Sequence, residues 1–177
     1  GIFEKEIDRA VSEKRVDFAV HSMKDIPSTI DSSLTIACVP KRESVNDVLI
    51  TNDGFSLDSI PSGSTVGSSS LRRAVQISRK RPDLNVKPIR GNIETRINKA
   101  SGENYDAIVL AQAGISRLGV DVNFTPLSVD DFSPSPGQGA IAIVARTDDI
   151  QTIEMLKKIE DADSRLEIEA ERALSDY

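Results

Sequence analysis

The hydrophobic positions along the chain change their period several times, which separates predicted helices from predicted strands. A helical period over residues 2–14 is followed by the apolar residues Ile2, Phe3, Ile7, Ala10 and Val11 and predicts a helix. Short apolar runs bounded by Gly, Pro and Ser predict strands, of which GAIAIVA at 139–145 is the clearest. A further buried strand is predicted at 16–20, and other strands are predicted at 34–39 and 46–50. Two terminal helices are predicted at 149–160 and 163–175.

Three consecutive segments each combine a strand, a turn containing glycine and a helix. The first helix follows VGSSS, and its apolar residues Leu71, Ala74, Val75 and Ile77 are expected to face inward. The second unit is LNVKPI followed by RGN and a helix, and the third is YDAIVLA followed by a short helix. Alternating strands and helices predict an α/β fold with largely parallel pairing.

Two segments rich in turn-forming residues divide the chain. They are PKRES at 40–44 and SPSPGQG at 133–139. We therefore expect a discontinuous first domain, made of residues 1–41 and 137–160, and an inserted second domain of residues 42–136.

The composition excludes several classes of function. A single cysteine, Cys38, cannot form a disulfide or a thiolate metal cluster within the chain, and a single histidine cannot build a familiar zinc site, so no metal is expected. No segment approaches the length of a membrane span, and no signal peptide is recognisable. These features predict a cytoplasmic protein that does not bind membranes.

The net charge of −6 is distributed unevenly. Residues 72–99 carry nine basic and two acidic residues, whereas residues 148–177 carry ten acidic and four basic residues. Arginines at a helix N-terminus oppose the helix dipole unless an anion is bound there. The three strand-to-helix turns therefore predict one anion-binding pocket, with ordinary helix-face salt bridges as the alternative for each arginine. The candidates are Arg72, Arg73, Arg90, Arg96 and Arg117.

The segment HSMKDIP, residues 21–27, concentrates polar groups at the end of a predicted strand. Asp25 is either a turn residue or a catalytic carboxylate, and His21 is either structural or a supporting group. A Ser-His-Asp triad is not expected, because no nucleophile elbow is present. A carboxylate about 4 Å from a developing cation is worth roughly 4 kcal/mol at an effective dielectric constant near 20, so one aspartate can dominate catalysis.

Six segments in register resemble the porphobilinogen deaminase family, also called hydroxymethylbilane synthases. They are HSMKD, VGSSSLRR, RPDL with IRGNIETR, YDAIVLAQAGISRLG, PGQGA and EAERAL. The resemblance implies two domains like type II periplasmic binding proteins, and a third α+β domain that begins at residues 161–177. It also implies a transferase of haem biosynthesis, which joins four porphobilinogen molecules into the linear tetrapyrrole hydroxymethylbilane and releases ammonia.

The resemblance also assigns roles to individual residues. It implies that Asp25 is catalytic, since the family's aspartate assists loss of the aminomethyl nitrogen and stabilises the resulting azafulvenium cation. The matched arginines and Lys24 are expected to bind the acetate and propionate groups of the rings. The other matched binding positions are Ser22, Ser68, Ser70, Gly91 and Gln138.

The family builds its product on a covalent dipyrromethane cofactor. Its attachment cysteine lies beyond EAERAL, so the resemblance implies that Cys38 is not the attachment residue. We expect the chain to be the central portion of a monomeric enzyme.

Two other functions remain open from the sequence. A non-catalytic anion-binding module explains the basic segment but leaves HSMKD unexplained. Nucleic-acid binding through residues 72–99 is opposed by the acidic net charge and by an aromatic content of 4% without tryptophan, so nucleic acid is not an expected partner.

Overall fold

The computed structural model describes residues 2–100, 102 and 104–175, including all side chains from Lys5 onward within those ranges. The strands are β1 (Phe18–Ser22), β2 (Leu34–Cys38), β3 (Asp47–Thr51), β4 (Thr65–Gly67), β5 (Asn85–Lys87), β6 (Ala107–Ala111), β7 (Thr125–Pro126) and β8 (Ile141–Arg146). The helices are α1 (Ile2–Ser12), α2 (Leu71–Lys80), α3 (Ile93–Ala100), α4 (Gln112–Leu118), α5 (Ile150–Leu156) and α6 (Ala162–Ser175).

The chain divides into two compact units. The first unit comprises residues 1–43 and 135–177, and the second comprises residues 44–134. The assignment of functional domains, including a third domain from residue 161, stays a prediction.

The first unit is built on a three-stranded sheet in the order β1-β8-β2. Strand β8 lies in the centre and pairs antiparallel with both neighbours, which explains why residues 142–145 are all buried. Val11 of α1 packs against Ala19 and Val144 on one face of this sheet. Helix α5 packs its Leu156 against Cys38 and Ile143. A single helix was predicted at 149–160, but α5 ends at Leu156 and a 3-10 turn follows it at Lys157–Ile159.

The second unit contains a five-stranded mixed sheet in the order β5-β4-β6-β3-β7. Strand β4 pairs parallel with β5 and β6, whereas β3 pairs antiparallel with β6 and β7. One hydrophobic cluster includes Leu49, Val66 and Ile77, and another includes Ile50, Ile89 and Ile108. Alternate residues of the same strands supply the two clusters, as expected for a sheet covered on both faces.

The expectation of largely parallel pairing is wrong. Only the strand-to-helix units of the second sheet pair in parallel, through β4. In the first unit β8 is inserted between β1 and β2 and runs opposite to both. The pattern of helices and strands along the chain does not reveal which strands become neighbours in space.

The prediction that residues 16–20 form a buried strand is also wrong. Strand β1 starts two residues later, and it forms one edge of its sheet. Val16 and Val20 are 43% and 56% exposed, whereas Ala19 and His21 are buried. Only one face of β1 is therefore buried, and the apolar residues on its other face are exposed.

Helix α2 presents a different face to the core from the predicted one. Leu71 and Val75 are 79% and 58% exposed, whereas Ile77 and the charged Arg73 are buried. Residues four apart share a helix face, so burial of Arg73 with Ile77 turns Leu71 and Val75 outward. Among the described residues, no helix is both long enough and apolar enough to span a membrane.

Candidate functional site

Asp25 lies on a short 3-10 turn, Met23–Asp25, that directly follows β1. The turn is closed by the Ile26 N–H, which donates to the Met23 carbonyl at 3.1 Å. Met23 is 2% exposed and anchors the turn in the core, whereas Asp25 is exposed. Within the described residues, the Asp25 carboxylate has no hydrogen-bond or ion-pair partner, so it is available to a ligand.

The loop that precedes β8 packs directly against this turn. Gly137 has φ +74°, and a Cβ atom at this position would lie 2.7 Å from Met23 Cγ and 2.9 Å from Lys24 N. The Met23 N–H donates to the Ala140 carbonyl at 3.0 Å. Glycine at 137 is therefore required both by the backbone conformation and by the close approach of the two loops.

Gly137→Ala should destabilise the protein through a clash as well as through backbone strain. Left-handed backbone costs a residue other than glycine about 1–2 kcal/mol, and overpacking adds about 1–3 kcal/mol. Gly54→Ala is the matched control, because Gly54 has φ +71° and a Cβ atom there would meet nothing within 4 Å. In urea denaturation we expect Gly137→Ala to lose about 2 kcal/mol more unfolding free energy than Gly54→Ala. Equal losses in the two variants would show that the turn and the loop are not tightly packed.

Arg42 and Glu171 hold the same loop from the other side. Glu171 accepts the Gly137 N–H at 2.7 Å and two hydrogen bonds from the Arg42 guanidinium, at 2.7 and 3.0 Å. The Arg42 side chain is 6% exposed, and its Nε donates to the Gln138 carbonyl at 3.0 Å. A bidentate arginine–carboxylate pair of this kind fixes geometry as well as charge. Helix α6 is thereby connected to the segment around Arg42 and to the loop containing Gly137 and Gln138.

Lys24 and Gln138 occupy contrasting positions around the turn. Lys24 is exposed and lines a pocket of about 410 Å³ together with Ser28, Ser135 and Arg172. Gln138 is 1% exposed, which makes it an internal support of the loop. Ser22 is exposed at the end of β1, where its hydroxyl does not cap the following turn.

His21 contributes to the structure of the first unit. Its side chain is 5% exposed, and Nε2 lies 2.9 Å from Asp8 Oδ1. This contact connects β1 with α1. The structure thus gives His21 a structural partner.

Asp47 joins the first two predicted anion-binding arginines. Its side chain is fully buried at the start of β3, and it accepts hydrogen bonds from Arg73 Nη2 at 2.7 Å and from Arg72 Nη2 at 2.6 Å. Burial alone would raise the pKa of Asp47, but the hydrogen bonds from Arg73 and Arg72 outweigh it and hold the pKa below its ordinary value. The anion that α2 requires at its N-terminal turn is therefore supplied, at least in part, by the protein itself.

Ser68 and Ser70 organise the N-terminus of α2. Ser70 is the N-cap, and its hydroxyl accepts the Arg73 N–H at 3.4 Å. Ser68 is 5% exposed and accepts the Ser70 N–H at 3.3 Å. Both serines thus stabilise the N-terminus of α2 through local hydrogen bonds.

Arg90, Gly91 and Arg96 lie together in the second strand-to-helix turn. Gly91 has φ +128°, and its carbonyl accepts from Arg96 Nε at 2.7 Å. Arg90 is exposed, and its backbone carbonyl accepts from Lys99 Nζ at 2.8 Å. Arg117 is exposed near the end of α4. That all five arginines line one pocket stays a prediction.

Four residues that support these positions were not predicted from the sequence: Arg42, Asp47, Glu171 and Arg172. Asp47 was detectable in principle, because an aspartate within the apolar run NDVLIT requires a cationic partner once it is buried. Glu171 and Arg172 belong to EAERAL, which carried the resemblance without a physical explanation.

Two comparisons of sequence identify relatives of the chain. Residues 1–154 match the family model described as "Porphobilinogen deaminase, dipyromethane cofactor binding domain". The chain is 79% identical over 177 residues to a probable porphobilinogen deaminase from Nitrosopumilus maritimus, with 100% of the chain covered. It is 48% identical to the porphobilinogen deaminase of Listeria innocua, with 97% of the chain covered. The chain spans 57% of the length of each of these two relatives.

The fold also resembles a solved structure of low sequence identity. The probable extracellular-binding protein of an amino-acid ABC transporter from Bacillus subtilis matches with a TM-score of 0.51 and 10% identity. The match covers 97% of this chain and 73% of that protein. The predicted fold class, α/β with a likeness to periplasmic binding proteins, is confirmed. Because the family model covers most of the chain and two relatives match it along nearly its entire length, the chain belongs to the porphobilinogen deaminase family.

Proposed function

We propose that this chain provides the catalytic aspartate and the carboxylate-binding residues of hydroxymethylbilane synthase activity. In this reaction four porphobilinogen molecules are joined head to tail, and one ammonia is released for each. The observation that carries the proposal is the 79% identity across all 177 residues to a probable porphobilinogen deaminase. The exposed Asp25 carboxylate on a well-anchored turn supports it.

Asp25 would act where positive charge develops on the substrate. The bond between the aminomethyl carbon and its protonated nitrogen breaks, and the bonding pair leaves with nitrogen as neutral ammonia. Electron density from the pyrrole nitrogen compensates, which leaves an azafulvenium cation whose N–H faces the carboxylate. The cation then bonds to the carbon of a second pyrrole, which loses its proton. A carboxylate fixed in place before the reaction stabilises this charge without the cost of reorienting solvent.

Basic residues would hold the acidic side chains of the pyrrole rings. Arg90, Arg117 and Lys24 are exposed, so their charged groups fit carboxylate ligands. Arg73 is 7% exposed and bound to Asp47, so we propose that it fixes the start of α2. Arg72 also contacts Asp47 but is partly exposed, so we propose that its guanidinium is accessible to a carboxylate ligand.

The same donor chemistry fits a dipyrromethane cofactor, which carries carboxylates on each ring. When bound, this group supplies the pyrrole on which the product chain is extended. Ser68, Ser70 and the exposed arginines, all in the second unit, would hold its carboxylates. Cys38 does not suit covalent attachment, because it is 0% exposed, and burial together with the nearby Glu160 raises the pKa of its thiol to about 11.

The proposal is tested by incubating the full-length protein with porphobilinogen and measuring ammonia and hydroxymethylbilane. We expect four molecules of ammonia for each molecule of product. Binding of porphobilinogen without release of ammonia would instead indicate a non-catalytic binding module, and would overturn the proposal.

A further inference from the structure

The segment that follows Asp25 lacks the usual means of fixing an extended backbone. Ile26 is extended, with φ −77° and ψ 127°, and Pro27 has no N–H group to donate. Residues 26–30 belong to neither a strand nor a helix. Their carbonyl groups can therefore accept hydrogen bonds from groups outside the segment as well as from water.

Arg172 of α6 supplies these partners. Its Nη2 donates to the carbonyls of Pro27 and Ser28, each at 2.8 Å, and its Nη1 lies 3.5 Å from the Ile26 carbonyl. The guanidinium is planar and carries five donors in a fixed arrangement, so it can hold three consecutive carbonyls in one geometry. A lysine cannot reproduce this arrangement.

The turn is thus held on both sides by neighbouring residues of one helix. Glu171 holds the loop that packs against Met23 and Lys24, through the Gly137 N–H. Arg172 holds the segment that leaves the turn after Asp25. The exposed Asp25 lies between these two supports, and within the described residues its carboxylate has no hydrogen-bond or ion-pair partner.

We propose that Arg172 is a positioning residue, which fixes the backbone after Asp25 and so orients its carboxylate toward the substrate. The inference rests on the proposed function, since it assigns Arg172 a role in the reaction of Asp25. Arg172 does not contact the reacting atoms in this role. Its loss should therefore slow the chemical step more than it weakens substrate binding.

The test compares Arg172→Ala and Arg172→Lys with Arg165→Ala in the full-length protein. Arg165 is a matched control on the same helix, because it also donates to a backbone carbonyl, that of Ile36 at 3.2 Å, and it binds Glu160. We expect Arg172→Ala to lower kcat about tenfold with KM changed less than twofold, since a misplaced group costs rate rather than affinity. Arg172→Lys should recover part of kcat, and Arg165→Ala should keep wild-type kcat.

A double-mutant cycle with Asp25→Asn separates positioning from general destabilisation. If Arg172 acts through Asp25, adding Arg172→Ala to Asp25→Asn should not reduce single-turnover rates further. An unchanged kcat in a folded Arg172→Ala protein, or a tenfold loss that persists without the carboxylate, would overturn the inference. If Arg172→Ala does not fold, the same two comparisons are made with Arg172→Lys. Absence of turnover in the wild-type protein would contradict the proposed function itself.

Discussion

Replacing Asp25 with asparagine is expected to lower the rate of ammonia release from porphobilinogen by about a thousandfold. The substitution removes the negative charge and keeps the shape of the side chain. A unit charge about 4 Å from a developing cation accounts for a loss of this size at an effective dielectric constant near 20. Because Asp25 is exposed and has no partner within the described residues, the fold should be unaffected.

The control for this experiment is Asp17→Asn, which removes another exposed aspartate from the same unit. Both variants should retain the wild-type circular dichroism spectrum and thermal midpoint. Only Asp25→Asn should lose activity. Turnover within tenfold of wild type in Asp25→Asn would show that another group stabilises the cation.

Replacing Asp47 with asparagine should lower the free energy of unfolding by about 3 kcal/mol. The change leaves two guanidinium groups without their shared carboxylate, and breaking a buried ion pair costs about 3–5 kcal/mol. The lower end is expected because the amide oxygen still accepts a hydrogen bond. Asp53→Asn is the control, since Asp53 is an exposed aspartate of the same unit.

The Asp47 effect should depend on pH in a defined direction. The pKa of Asp47 is held below its ordinary value in the folded protein, so its stabilising contribution is complete above the unfolded pKa of about 3.9. The contribution disappears as the pH falls through the folded pKa. Urea denaturation should therefore show a constant difference between wild type and Asp47→Asn from pH 7 to about 5, and a shrinking one below about pH 4. A difference that is the same at pH 7 and pH 3 would contradict the assignment.

Local sequence signals predicted the positions of helices and strands better than they predicted which strands pair with each other. Residues 142–145 are buried because β8 is a central strand, and Ser70 caps α2, as a serine at a helix start commonly does. The pairing of β8 between β1 and β2 joins segments that are more than 100 residues apart. The local hydrophobic period carries no information about which distant strands pair, so the prediction of largely parallel pairing was wrong.

The prediction of the inward face of α2 failed because a charged residue is buried there. Periodicity treats every apolar residue of a helix as a core residue, which placed Leu71 and Val75 inward. In the structure Arg73 takes the inward position because Asp47, 26 residues earlier, lies buried at the start of β3. The hydrophobic pattern of α2 contains no information about this partner.

Some residues of the candidate site were predicted from local motifs, whereas others were found only in the structure. The motif HSMKD made Asp25 a candidate by resemblance, which stays a prediction, and the glycines of the turns followed from their sequence context. The residues that support the Asp25 turn were found only in the structure. Arg172, for example, lies 144–146 residues from the carbonyls that it binds, and no local motif connects such distant positions.

The most direct test of the account is the mass of the intact native full-length protein before and after porphobilinogen is added. We predict a starting mass that exceeds the sequence mass by one covalently bound dipyrromethane, and an increase in steps of one pyrrole unit with substrate. A folded protein whose mass equals that of its sequence, and stays unchanged when porphobilinogen is added, would contradict the account.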